Sequence, residues 1–520
     1  MKRRGLIRLA AACLSLIALT QVNLNELSAW EPVATGIEYR EFTLPDPNNV
    51  YVARMARQEP SAILESSIAK GRIASGRQTV SGMYYLYDQA INYWDKRWGG
   101  RNKVVVAING YFFDPATGVP QRGQVLSGWY AKRFDDKENG SGFAWKMDRS
   151  AFIGECITHV AEKQFITFVK SGNTQIFDGI NVPRGEDQLI LYTPQYDSNT
   201  NTNDYGAEVL VEMNQPDEIL RSADMATGIV REIRKGQGSS PIPYDYVVLS
   251  AHGTAKTRLL NNVEVGDEIG ISQNIKNCDR DLPFDWVNTY ASIGGSFYFL
   301  KDGAIQHFPD NEGAIYRHPR TAIAFNDQYV FFIVVDGRDP KNSVGMTIDE
   351  LATFTKNSLG ATYGIAQDGG GSSAMVVNGK LMNNPSDPCY QLFLPVMNGQ
   401  GNGTNATSRD LDMLYALPPS GKCQRQVANG MLMVEQEPMD QSTAFAAGDK
   451  VVTLAPADVM LGPGTNYGLV GTVPENTKGV ILSDWNKLNG VLAKMAYWWK
   501  VDFSGTTGWV KESLIKAEKP

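Results

Sequence analysis

The chain has 520 residues, 42% hydrophobic and 10% aromatic, enough to bury a large core in two or more domains and too apolar for a disordered or fibrous protein. Its 49 Lys+Arg against 56 Asp+Glu give a net charge of −7 with no basic block, which argues against nucleic acid as a partner. A neutral or small anionic ligand held by a few local arginines fits that balance better.

Residues 1–29 read as an export signal: Lys2, Arg3 and Arg4 form a positive start, Leu6 to Leu19 an apolar core, and Leu27-Ser28-Ala29 a small-residue cleavage point. Arg3-Arg4 faintly resembles a twin-arginine signal and Ala11-Ala12-Cys13 a lipobox, but a cleaved soluble signal is the preferred reading. The apolar core is too short to span a bilayer comfortably, so no stable membrane span is expected after cleavage. Four cysteines then remain, Cys156, Cys278, Cys389 and Cys423. In an exported chain they permit two disulfides, with Cys389–Cys423 preferred on proximity and buried free thiols as the alternative. Their spacing does not suggest zinc, and no metal or cofactor is called for.

Glu38 to Arg57 alternates polar and apolar residues and predicts β structure. Met83 to Trp98 repeats Tyr84, Tyr87, Ala90, Ile91 and Trp94 at helical spacing, a stripe read as core packing. Val104 to Ile108 is a buried strand that breaks at Asn109-Gly110, which places Asn109 at a strand end, either as a turn residue or with its amide toward a sugar hydroxyl. Short β-type runs follow at Leu189–Tyr192, Ala207–Glu212, Tyr246–Ala251 and Glu268–Ile271. His252 lies between an apolar run and a glycine and reads as hydrogen-bonded structure rather than a catalytic base. Phe297 to Leu300, ending in Lys301-Asp302-Gly303, reads as a hairpin.

The stretch from His318 to Met375 carries the chemistry. An apolar run ends at Asp336-Gly337, a helix opens at Thr347 with Glu350 in a capping-box pattern, and a second run ends at Asp368-Gly369. This βαβ-like order brings both aspartates to one sheet edge if the strands are parallel and close. Two carboxylates there permit acid/base or nucleophilic glycoside chemistry. Arg320 and Arg338 offer planar forks of donors to phosphate, and Gly369, Gly370 and Gly371 with Ser372 and Ser373 offer backbone N–H and hydroxyl groups. Val376-Val377-Asn378-Gly379-Lys380 predicts a tight hairpin.

The ordered set Asn109-Gly110, Leu191-Tyr192-Thr193-Pro194, Ser250-Ala251-His252-Gly253, Gly266-Asp267, His318-Pro319-Arg320-Thr321-Ala322, Asp336-Gly337-Arg338 and Asp368-Gly369-Gly370-Gly371-Ser372-Ser373 resembles the phosphodiester glycosidase family. Asn384 to Cys389 and Arg425 to Gly430 resemble its closing segments, so the likeness runs from about residue 75 to 435. It implies an α+β fold, a mixed β-sheet core with flanking helices. It also implies hydrolysis between an anomeric carbon and a phosphodiester oxygen, with N-acetylglucosamine-1-phosphodiester among the substrates. On that resemblance Asp368 stands nearest the anomeric carbon with Asp336 as its partner. Arg320 and Arg338 bind phosphate, Asn109 and Ser372 orient the sugar, and His318, Gly369, Gly370 and Ser373 complete the site.

After Glu437 the composition changes. Met460 to Tyr467, Tyr497 to Val501 and Gly508-Trp509-Val510 resemble a bacterial SH3 domain, a small β-barrel whose relatives bind cell-wall peptide or glycan. Here a Met-Leu pair replaces the arginine usual before the Gly-Pro-Gly turn, and Trp498, Trp499 and Trp509 serve either barrel core or groove. The expected organisation is a signal at 1–29, a phosphodiester glycosidase-like domain at 30–437, a linker at 438–447 and an SH3-like domain at 448–517. The reading is an exported bacterial hydrolase, secreted or held in the periplasm or cell envelope, acting on sugar-phosphodiester or polysaccharide. The alternative is a non-catalytic glycan-binding envelope scaffold. A cytoplasmic metal-dependent phosphatase is disfavoured by the export signal and by the lack of a dense His/Asp cluster.

Overall fold

The computed structural model describes residues 29–94, 99–134, 138–158, 164–214, 226–273, 275–278, 286, 288–387 and 423–518. The expected export signal and Cys389 lie outside these. Among the described residues strands dominate and form five sheets. The fold is α+β as expected, with its sheets almost wholly antiparallel: among the described residues one pair is parallel, Gly179–Ile180 with Leu189–Tyr192.

The sheet that presents the site has eight strands. Its middle runs Asn48–Ala56, Tyr329–Val335, Arg320–Phe325, Tyr363–Ala366. Side chains alternate across a strand, and here both faces are covered, which explains the nearly unbroken apolar run. Val330, Phe332 and Val334 join the large core shared with the other sheets. Phe331, Ile333 and Val335 pack beneath the helix Ile348–Leu359 through Ile348, Leu351 and Ala352. That helix begins where the sequence placed it: the Thr347 side chain accepts from the Glu350 N–H, Glu350 reaches back to the Thr347 N–H, and Gly360 ends it in left-handed backbone. Thr347→Ala is expected to lower stability by about 1 kcal/mol, read as a reduced midpoint in chemical unfolding. An unchanged midpoint would show that tertiary packing alone fixes this helix end.

A second sheet holds Gly100–Asn109 between Met375–Val377 and Asn429–Glu437. The predicted hairpins form at Tyr298–Lys301 with Ala304–Ile305 and at Met375–Val377 with Lys380–Leu381. Asp302, Gly303, Asn378 and Gly379 all take positive φ, as tight hairpin turns require. The helix predicted from Met83 to Trp98 is instead Val80–Tyr87, capped by Thr79. Its apolar spacing continues past Tyr87, but the chain turns at Gln89 and pairs Ile91–Asn92 with the strand Gly100–Asn109.

A disulfide joins Cys156 and Cys278, the pair that remains once Cys389 is assigned to Cys423. The Cys278 N–H donates to the Cys156 carbonyl at 3.3 Å, so backbone pairing and the disulfide join the same two segments. Cys423 is also disulfide-bonded. Its expected partner, Cys389, lies outside the described residues.

Residues Lys450 to Ala517 form a sheet of their own around Val451, Val459, Trp499, Val501 and Val510. Trp498 and Trp509 instead pack with Ile91 and Tyr244 of the preceding part of the chain. The Lys494 ammonium donates to Tyr85 O at 2.7 Å and Asp88 O at 2.6 Å, satisfying carbonyls at the end of the helix Val80–Tyr87. At the same seam Glu212, Asp245 and Asp484 bring carboxylate oxygens within 4.8 Å of one another, and Lys500 supplies a cation 3.5 Å from Glu212. Burial lifts the Asp245 carboxyl to about 7.

Candidate active site

Arg320–Phe325 runs antiparallel to both Tyr329–Val335 and Tyr363–Ala366, so those two strands point the same way with it between them. Asp336 and Asp368 therefore emerge at one edge, and Arg320, opposite Val335, starts its strand at that edge. The predicted strand–helix–strand unit holds, with one strand interposed.

From Asp368 the chain crosses to the second sheet. The Asp368 N–H donates to Gly110 O at 2.9 Å, and Met375 pairs with Ile108. The crossing leaves no room for side chains. A Cβ on Gly369 would lie 2.7 Å from Pro319 O, and one on Gly371 would lie 2.0 Å from Asp387 Oδ1. Gly370 has φ +64°, with Arg338 Nη2 only 2.9 Å from where its Cβ would stand.

Asn109 holds this crossing in place. Its Nδ2 donates to Asp368 O at 2.7 Å, and its Oδ1 accepts from the Thr321 hydroxyl at 2.7 Å and the Ala374 N–H at 3.2 Å. It is fully buried, so the amide expected to meet a sugar hydroxyl is consumed by the fold.

The two aspartates differ in surroundings. Asp336 accepts from the Tyr51 hydroxyl at 3.0 Å, Asn383 Nδ2 at 3.0 Å and the Asn384 N–H at 3.1 Å. It lines a polar cavity of about 210 Å³ together with Asn49, Tyr51, Asp339, Asn342 and Asn384. Asp368 is buried, and burial raises its carboxyl above the usual range, opposed by a hydrogen bond with Ser372 and by the Arg425 charge. Along the same stretch of chain, neither side-chain polar atom of Gln367 nor the Ser373 hydroxyl finds a partner among the described residues, although both residues are buried. Buried polar groups are normally paired, so such orphans mark a place for a ligand or water.

The arginines also separate. Arg320 is buried, and its guanidinium donates to Met346 O and Tyr316 O, both at 2.7 Å. Desolvation lowers it to about 10. Two of its nitrogens are thus spent on backbone, against the expectation that it grips phosphate. Arg338 sits in left-handed backbone, φ +60°, over Gly370, with a long contact of 3.5 Å to Ser386. Burial, then Arg320 and Arg338, push the His318 imidazole below its ordinary value. His252 accepts from the Asp187 N–H at 3.4 Å, the structural role expected of it.

Arg425 and Asp387 fall within the two closing segments that carry the resemblance. Arg425 Nε and Nη2 lie 2.7 and 3.2 Å from the two Asp387 oxygens, and Nη1 lies 3.3 Å from Ser372 Oγ. No local pattern distinguishes this arginine in the sequence. The Cys423 N–H bond to Asp387 O at 2.9 Å brings both segments to the turn.

No curated protein matches the chain. Among solved structures it is similar to a hypothetical protein from Synechocystis, at 16% identity and TM-score 0.45, covering 77% of this chain and 62% of that one. The chain thus spans less than two thirds of that protein's length. It is also similar to a Burkholderia pseudomallei protein described as exported, at 18% identity and TM-score 0.44, covering 74% of each. The third is the zebrafish N-acetylglucosamine-1-phosphodiester alpha-N-acetylglucosaminidase catalytic domain auto-inhibited by its pro-peptide, at 13% identity and TM-score 0.33, covering 78% of this chain and 85% of that one. The segment that carries Arg320, Asp336, Asp368 and the Gly369–Ser373 turn, residues 222–401, matches the phosphodiester glycosidase family, as its ordered motifs led us to expect.

Proposed function

We propose that this chain is an exported hydrolase that cleaves the glycosidic bond of a sugar-1-phosphodiester in surface or extracellular polysaccharide. The observation that carries the reading is the buried Asp368 carboxyl on its glycine turn, hydrogen-bonded with Ser372 on the stretch where the Gln367 and Ser373 side chains find no partner among the described residues, within the segment that matches the family. Asp368 faces the anomeric carbon. Ser372, Ser373, Gly369 and Gly370 line the approach, and Arg338 and His318 lie on the phosphate side. Asp336, with both oxygens engaged, acts as a partner carboxylate that holds the Asn383–Asn384 segment against the polar cavity. A phosphate leaves readily, so cationic stabilisation replaces much of the general-acid assistance that an ordinary glycoside needs. The disulfide Cys156–Cys278 supports an oxidising compartment, secreted or periplasmic, as does the expected signal. The domain limits at 437 and 448 and the SH3-like identity of the C-terminal sheet belong to the same proposal. N-acetylglucosamine is the first sugar to test.

The test is release of free sugar from a panel of sugar-1-phosphodiesters by the mature protein, with no turnover across the panel favouring the scaffold alternative. The pH dependence supplies a second check. Asp368 works as the ionised carboxylate, and burial raises its folded value, so kcat/KM is expected to fall with acidification along a limb centred above the ordinary aspartate value of about 3.9. A limb at or below that value would remove Asp368 from the role.

A further inference from the structure

We propose that Arg425 is the group that receives the substrate's phosphate and that Asp387 is an internal carboxylate occupying its fork until phosphate displaces it. This rests on the reading of the site as one that cleaves phosphodiester-linked sugars.

The geometry favours Arg425 over the arginines that the motifs singled out. Arg320 is buried with its donors committed to Met346 O and Tyr316 O. Among the described residues Arg338, over Gly370, has one long side-chain hydrogen bond, 3.5 Å to Ser386, and none to Ser372. Arg425 presents the Nε and Nη2 edge of its guanidinium to Asp387 in two near-parallel bonds, the arrangement such an edge also makes with two phosphate oxygens. Its remaining nitrogen, Nη1, reaches Ser372 Oγ, and Ser372 is hydrogen-bonded with Asp368, so the fork stands one side chain away from the reactive carboxyl.

Asp387 has the traits of a displaceable stand-in. The Arg425 side chain is 41% exposed and that of Asp387 14%, so the guanidinium side of the pair is the one a ligand anion reaches from solvent. Asp387 is carried by backbone close to the turn, where its carboxylate fills the space that a side chain at Gly371 would take.

The test reads binding apart from turnover. Phenyl phosphate and inorganic phosphate are titrated calorimetrically into the full mature protein. Arg425→Ala is expected to weaken phenyl phosphate binding by about tenfold or more, and Arg425→Lys, which keeps the charge and loses the fork, by less. Asp387→Asn is expected to tighten it by about tenfold, because the competing carboxylate is gone while an amide of the same shape remains. Unchanged binding in Arg425→Ala, or weaker binding in Asp387→Asn, overturns the proposal. If Arg425→Ala unfolds, Arg425→Lys and Asp387→Asn decide alone. Because no turnover is measured, failure of these affinities is distinguishable from failure of the glycosidase reading, which the sugar-release assay decides.

Discussion

Asp368→Asn is expected to lower kcat for sugar-1-phosphodiester hydrolysis by about 10³-fold while leaving KM and the thermal midpoint close to those of the parent protein. The amide keeps the size of the carboxylate and can still bond to Ser372, so little packing changes. It loses the charge that stabilises an oxocarbenium-like centre and the basicity needed to attack it or to activate water. The fold around Asp368 is held by main-chain atoms, its N–H to Gly110 O and its carbonyl from Asn109, and the substitution touches neither. Measured turnover within a factor of ten of the parent would exclude Asp368 as the reactive carboxylate.

Asn109→Ala should have a large effect of a different kind. It leaves the Thr321 hydroxyl, the Ala374 N–H and the Asp368 carbonyl without their buried partner, at about 1–3 kcal/mol for each unsatisfied group before relaxation. A loss of about 3–5 kcal/mol is therefore expected, with a clear fall in thermal midpoint. kcat should drop with it, because the turn bearing Asp368 is no longer held to the second sheet, while KM changes little. A sugar-binding amide would give the opposite pattern, a raised KM at unchanged stability.

Arg320 and Asn109 show how much a motif can and cannot say. Both belong to the ordered series that marks the family, and both were read as ligand contacts because their side chains suit phosphate and sugar. In the folded chain their polar atoms are spent on the protein itself, on Met346 O and Tyr316 O for Arg320 and on three separate segments for Asn109. A side chain that can bind a ligand can equally satisfy buried backbone, and only the tertiary neighbourhood settles which. Arg425 is the converse: it sits far along the chain from Asp368 and gains its place through the contact of Cys423 with Asp387.

The C-terminal tryptophans make the same point. Trp499 faces the core of its own sheet, while Trp498 and Trp509 are buried against Ile91 and Tyr244. Alternation along the strand Ala496–Asp502 puts the neighbours Trp498 and Trp499 on opposite faces, but the sequence does not reveal what covers the outer one.

By itself the sequence determined what depends on local geometry. Apolar runs marked the buried strands, the Thr347–Glu350 capping box marked a helix start, Asn378-Gly379 and Asp302-Gly303 marked hairpins, and the two Asp-Gly steps marked strand ends. Each follows from backbone sterics or from hydrogen bonds a few residues long. Only the tertiary structure decided that Asp368 is buried against Ser372, that Arg320 is spent on backbone carbonyls, that Arg425 reaches the glycine turn, and that Asn109 ties two sheets together. Those outcomes depend on contacts between residues tens to hundreds of positions apart, where burial and competing partners fix what each side chain is able to do.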